Sequence, residues 1–204
     1  MADWLSYSLH DFLLFSPDVY WRLLACYSES SMSLAIAIEL MAVIAFAYVY
    51  RTRKYSVVAL LNIVLLAVLG AMFYMQHFAT INTFAPYLAY ACFAQSFLLV
   101  LYLFKTRIAV ISTHNDNFSK VNLTSINYAK LPLVCLAVII LSPWVAVFLS
   151  FTWHVGIVGI LPIPTLILVL ISSFFYSRLW RFVLLPIPFL LLVIELLTLK
   201  VVLS

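Results

Sequence analysis

Glycine is nearly missing from this chain. Gly70, Gly156 and Gly159 are the only three, and they form no phosphate loop or dinucleotide turn, which needs clustered glycines so that backbone amides can approach a phosphate. Charge is scarce too: 9% of the 204 residues are Asp, Glu, Lys or Arg, against about a quarter in soluble domains. The three cysteines, Cys26, Cys92 and Cys135, are too scattered for a CxxC pair, a zinc site or a disulfide framework. No HExxH or HxxxH pair offers zinc or haem ligands. Serine, histidine and aspartate meet only in termini and loops, without a nucleophile motif. No basic run alternates with aromatics as a nucleic-acid platform would. An enzyme is therefore the least supported class. No cofactor or nucleic-acid partner is expected, and the sequence names no metal.

What the chain does hold is apolar surface: 67% of its residues are hydrophobic. A water-soluble fold keeps roughly half its surface wet and cannot hide so much. Lipid removes that difficulty. A bilayer core about 30 Å thick needs about 20 apolar residues as helix, and six runs meet that length, at about 32–50, 56–78, 84–104, 131–151, 157–176 and 183–202. The expected fold is an all-α integral membrane protein, a bundle of six transmembrane helices over 32–204 preceded by an interfacial amphipathic segment over 1–31.

Orientation follows from the basic residues. Arg51, Arg53, Lys54, Lys105, Arg107, Lys120, Lys130, Arg178 and Arg181 lie between runs one and two, three and four, or five and six, which is nine of the eleven. The positive-inside rule puts that side in the cytoplasm and both termini on the non-cytoplasmic side of the cell (inner) membrane. Asn117-Phe-Ser and Asn122-Leu-Thr match a glycosylation pattern, but on this topology they are ordinary cytoplasmic loop residues. The N-terminus reads as retained rather than as a signal peptide, since Asp3, His10 and Asp11 replace the positive n-region and Phe12–Phe15 is too short an apolar core. Residues 1–31 mix Trp4, Tyr7, Tyr20 and Trp21 with Asp3, Asp11, Asp18 and Glu29, which suits headgroup depth.

Ionisable side chains inside a bilayer cost several kcal/mol each and mark function or packing. Glu39 in the first run and Glu195 in the sixth lie at similar depth, about seven residues or ~10 Å from the outer surface. His77 and Gln76 lie at the outer end of the second run, Gln95 near the middle of the third, and Asn62 in the inner half of the second. Depth alone places Glu39, Glu195, His77 and Gln76 in one leaflet. A shared proton or cation site is the sharper expectation for them, and hydrogen-bonded interhelical joints are the plainer one.

Leu-Pro-Ile-Pro occurs twice, at 161–164 and 185–188. Pro162, Pro164, Pro186 and Pro188 read first as helix starts, because proline fits a first turn; a pair of interrupted helices is the alternative. Thr165 is placed to satisfy a carbonyl freed by Pro164. Ala85 and Ala89 give the third run a small-residue face that admits a close neighbour, either internal or a partner subunit.

Two stretches resemble a bacterial family of polytopic membrane proteins, domain of unknown function 6064. Gly70-Ala-Met-Phe-Tyr-Met-Gln-His-Phe-Ala-Thr-Ile-Asn82 with Gln95 is similar to that family's second-helix exit, turn and glutamine-bearing third helix. Gly159-Ile-Leu-Pro-Ile-Pro-Thr165, followed by Leu185-Pro186, is similar to its proline turn and next helix start. Ile163 replaces the family's cysteine and Tyr74 a histidine, and the N-terminal motif is partial, around Phe12-Leu13 and Tyr27. The resemblance implies six helices and brings no activity; the missing cysteine argues against thiol or metal chemistry at that turn. The leading functional expectation is an accessory or structural subunit of a larger membrane complex. The other is a small transporter or channel for a proton, cation or small solute, using the outer-leaflet carboxylates. The expected partners are lipid and either other membrane subunits or a second copy of the chain.

Overall fold

A computed structural model describes residues 16–52, 54–112, 131–148 and 161–203. The sequons at Asn117 and Asn122, the basic residues Arg53, Lys120 and Lys130, Gly156, Gly159 and the first 15 residues lie outside this set. The described residues form helices joined by turns, with no strand.

Helix α1 (Pro17–Ser30) starts as its sequence dictates, with Ser16 extended, proline in the first turn and Asp18 beside the positive helix end. It buries Tyr20, Leu24, Tyr27 and Ser28 and exposes Val19, Arg22, Cys26 and Glu29, a 3.6-residue period with one face on the bundle. The chain turns at Ser31 into α2 (Met32–Thr52). Helix α3 (Ser56–Val68) continues as a nine-residue π-helical segment, Leu69–His77, and ends in a 3₁₀ turn, Phe78–Thr80. Helix α4 is Ala85–Ser112 and α5 is Leu131–Phe148. Helix α6 (Pro162–Ser172) ends in a 3₁₀ turn, Ser173–Phe175, and is followed by α7 (Arg178–Leu184) and α8 (Pro186–Leu203).

Four helical stretches are long and apolar enough to cross a membrane: Met32–Thr52, Ser56–Thr80, Ala85–Thr106 and Arg178–Leu203. Two shorter apolar stretches, Pro132–Pro143 and Pro162–Phe175, occupy the other two expected runs. The last stretch begins about five residues earlier than the sequence led us to place it, because α7 precedes the second proline motif. The first motif does sit at a helix start, with Pro162 just after an extended Leu161. The second falls at a one-residue break between α7 and α8, so the two copies do different structural work.

Two apolar clusters hold the bundle together. One gathers Tyr20 and Tyr27 from α1, Phe73, Tyr74 and Phe78 from the end of the second span, Ala89 and Leu99 from α4 and Leu191 from α8. The other joins Ile38 and Phe46 of α2, Leu65 of α3, Cys135 and Ile139 of α5 and Leu168 of α6. The small-residue face of α4 is used internally. A Cβ added to Gly70 would lie 3.1 Å from Phe93 Cε1, 3.2 Å from Cys92 Cβ and 3.3 Å from the Ala89 carbonyl, so the π segment and α4 approach closely where neither has bulk. The outside is apolar, with Ile44, Phe97, Phe104, Leu179 and Phe182 all strongly exposed. In water that surface would be a defect, whereas lipid covers it without cost.

Candidate functional site

Buried polar side chains are the groups that apolar packing alone does not explain. Among the described residues, four interhelical joints are built from them. In the first, Tyr74 on the π segment donates its hydroxyl to Glu195 Oε1 on α8 at 2.6 Å. Both residues are almost wholly buried, and Glu195 Oε2 has no hydrogen-bond partner. Phe73 and Phe78 pack about the tyrosine, Tyr20 of α1 packs edge-on against Phe78, and Cys92 of α4 is close enough to feel the carboxyl's charge.

In the second joint, Asn62 of α3 donates to Ser172 Oγ at 2.6 Å and to Tyr176 Oη at 2.8 Å. It thereby ties α3 to the end of α6. In the third, Gln95 Nε2 of α4 donates to the Leu184 carbonyl at 2.7 Å. That carbonyl would accept the amide of residue 188 in a continuous helix, but residue 188 is proline and has no N–H. Gln95 therefore closes the gap that the second Leu-Pro-Ile-Pro motif opens. In the fourth, Ser96 of α4 reaches the Ile63 carbonyl of α3 at 3.4 Å while also bonding Cys92 at 3.0 Å in its own helix.

The same logic explains two local bonds. Pro143 inside α5 removes the donor for the Ile139 carbonyl, and Ser142 Oγ supplies one at 3.1 Å. Thr165 Oγ1 donates to the Leu161 carbonyl at 2.6 Å, where the backbone bond is stretched to 3.4 Å. The threonine was expected to serve the carbonyl that Pro164 frees, which belongs to residue 160; it serves the next one instead.

The residues grouped by depth have different neighbours. Glu195 meets Tyr74, whose mark in the sequence is a departure from the resembling family's pattern. His77 Nδ1 lies 2.9 Å from the Met72 carbonyl of its own π segment, and its ring is 4.5 Å from that of Tyr27. Gln76 is exposed. Glu39 is half-buried beside Ile38 on α2, which packs against α1, α3 and α5, and α8 packs against α1, α4 and α6. A hydroxyl-bearing aromatic in an apolar run was the one available sign of Tyr74, and it reads as hydrophobic by composition.

Helix α1 closes this end of the bundle. Tyr27 stacks near Phe73 and His77, with ring centroids at 5.5 and 4.5 Å. Burial pushes its phenol up to about 12; Ser31 is close enough to offset part of that, though the Tyr27 hydroxyl has no hydrogen bond of good geometry. Burial first, and then the Glu195 carboxyl, push the Tyr20 phenol well above its usual range. The opposite end is basic and aromatic. Tyr102 packs on Tyr176 and Trp180, Tyr55 stacks on Phe175, Lys105 lies 5.7 Å from the Trp180 ring centre, and Arg181 lies 5.2 Å from that of Phe174.

No group of three metal-ligating side chains is found among the described residues. No family model matches the chain, and neither a curated protein nor a solved structure is similar to it. The resemblance drawn above therefore stands on the quoted residues alone.

Proposed function

We propose that this chain is an accessory or structural subunit of a larger membrane complex, crossing the bilayer six times with both termini on the non-cytoplasmic side. The observation that carries the subunit reading is the use of the buried polar side chains. Asn62, Gln95 and Ser96 each join one helix of the bundle to another. Such joints fix packing and contribute about 0.6–2 kcal/mol apiece in a membrane. The exposed row Tyr87, Tyr90, Phe97 and Phe104 on α4, with Phe84 just before it, adds an apolar face that a neighbouring subunit would cover as readily as lipid.

Six crossings and external termini draw support from the basic end. Lys105 lies over Trp180 and Arg181 over Phe174, and Tyr55, next to Lys54, stacks on Phe175, as basic and aromatic residues do at the cytoplasmic interface of a polytopic protein. Helices α5 and α6 lie within the other two expected runs and adjoin residues outside the described set. The quoted motifs keep membership of the resembling family within the same reading.

Affinity purification from its native membrane in mild detergent, followed by mass spectrometry, tests the subunit reading. A stoichiometric membrane partner is expected, and a chain that purifies only as itself contradicts it. A transporter or channel reading draws on the open oxygen of Glu195, and unchanged proteoliposome flux in Glu195→Gln would remove it.

A further inference from the structure

We propose that Glu195 and Tyr74 form an intramembrane proton-binding site, in which the proton is held on Glu195 Oε2 while Oε1 accepts the Tyr74 hydroxyl. The proposal does not depend on the subunit reading, since such a site can work within an assembly or alone.

The geometry leaves few other occupants. Glu195 is 1% exposed and lies eight residues before Leu203, so about 12 Å of helix separates it from the end of α8. One oxygen receives a hydroxyl donor, and the other receives none. Removing a carboxyl from water and leaving half of it unpaired is among the costlier arrangements a fold can contain. A proton on Oε2 removes the carboxyl's charge with the least added volume. A sodium or divalent ion needs several oxygen ligands around it, and the surroundings are the rings of the first apolar cluster.

The titratable groups that face Glu195 are Tyr74 from the π segment, Tyr20 from α1 and Cys92 from α4. From α6, Thr165 turns its hydroxyl to its own helix. The cations of the neighbouring helices point elsewhere: Arg22 and Lys200 are exposed, and Arg178 and Arg181 belong to the other end of the bundle. Among the described residues, no cation is thus placed to compete with the proton for the carboxyl. Tyr74 is held for this contact by its place in the π segment, whose wider turn is a frequent mark of functional positions. Tyr20, on the buried face of α1, is the next titratable group, so exchange with the solution would pass that face.

Infrared difference spectroscopy of the purified protein in lipid, titrated from acid to alkaline pH, reads the proton directly. Wild type is expected to show a carboxylic-acid carbonyl band that is lost reversibly as carboxylate bands grow. That band should be missing from Glu195→Gln and shifted in frequency in Tyr74→Phe, which loses the hydrogen bond to Oε1. Should Glu195→Gln fail to fold, the Tyr74→Phe shift still assigns the band to Glu195. Carboxylate bands alone at every pH would overturn the proposal. So would an acid band that never titrates, because it would mark a permanently neutral packing joint.

Discussion

At residue 184 a carbonyl oxygen has no backbone donor because residue 188 is proline, and a glutamine 89 positions away in sequence supplies one. This arrangement makes a specific claim about energy. Gln95→Leu should destabilise the bundle by about 1–2 kcal/mol, since it leaves a buried acceptor unsatisfied. Pro188→Ala returns the amide of residue 188 to the helix, so adding Gln95→Leu to that variant should cost much less. A double-mutant cycle measured by unfolding in detergent checks this, and purely additive costs would show that the two groups are uncoupled. Asn62→Leu should be comparably harmful, because it breaks contacts to both Ser172 and Tyr176. Glu195, Gln95 and Asn62 stand out in the sequence as polar residues in apolar runs. Their partners do not, because a contact between residues 74 and 195 depends on how distant helices dock. Of the residues grouped by depth, Glu195 meets Tyr74, a partner that depth in the sequence does not indicate.

At the scale of the helix, apolar run length locates elements well and their internal breaks badly. Helices α2 and α4 begin within a residue of their expected starts, since a charged or turn-forming stretch flanks each. The π segment has no sequence mark of its own; the i→i+5 pattern arises where Gly70 lets the backbone meet α4. Gly70→Val should therefore destabilise by about 1–3 kcal/mol through overpacking, and Gly70→Ala by less, because alanine regains up to about 1 kcal/mol of helix propensity. Thermal unfolding of the two variants side by side checks the order. Helix α1 carries a pH prediction. Its tyrosine phenols are raised in the folded protein, so docking stability from them is complete below the ordinary tyrosine range near 10. It should fall as the pH rises through about 12, where Tyr27 ionises. Tyrosinate absorbance should show a late-titrating component that is reduced in Tyr27→Phe. A titration complete near 10 would mean that α1 is not docked.

Over the whole molecule the apolar exterior, the basic aromatic end and the end closed by α1 describe one object, a helical bundle made for lipid. The composition made that class legible at once, because no other solvent accepts such a surface. The number of crossings is less legible, since proline shapes both α5 and α6. The chain carries a natural reporter for its orientation. Cys26 is exposed on α1, whereas Cys92 and Cys135 are buried. The deciding measurement is labelling with a membrane-impermeant maleimide in intact cells against permeabilised ones. It would follow Cys26 together with single cysteines introduced by Ser204→Cys, Thr52→Cys and Ser177→Cys. Six crossings with external termini predict that Cys26 and position 204 react in intact cells, while positions 52 and 177 react only after permeabilisation. Labelling of Cys26 and position 204 from opposite sides would mean an odd number of crossings and would contradict the account.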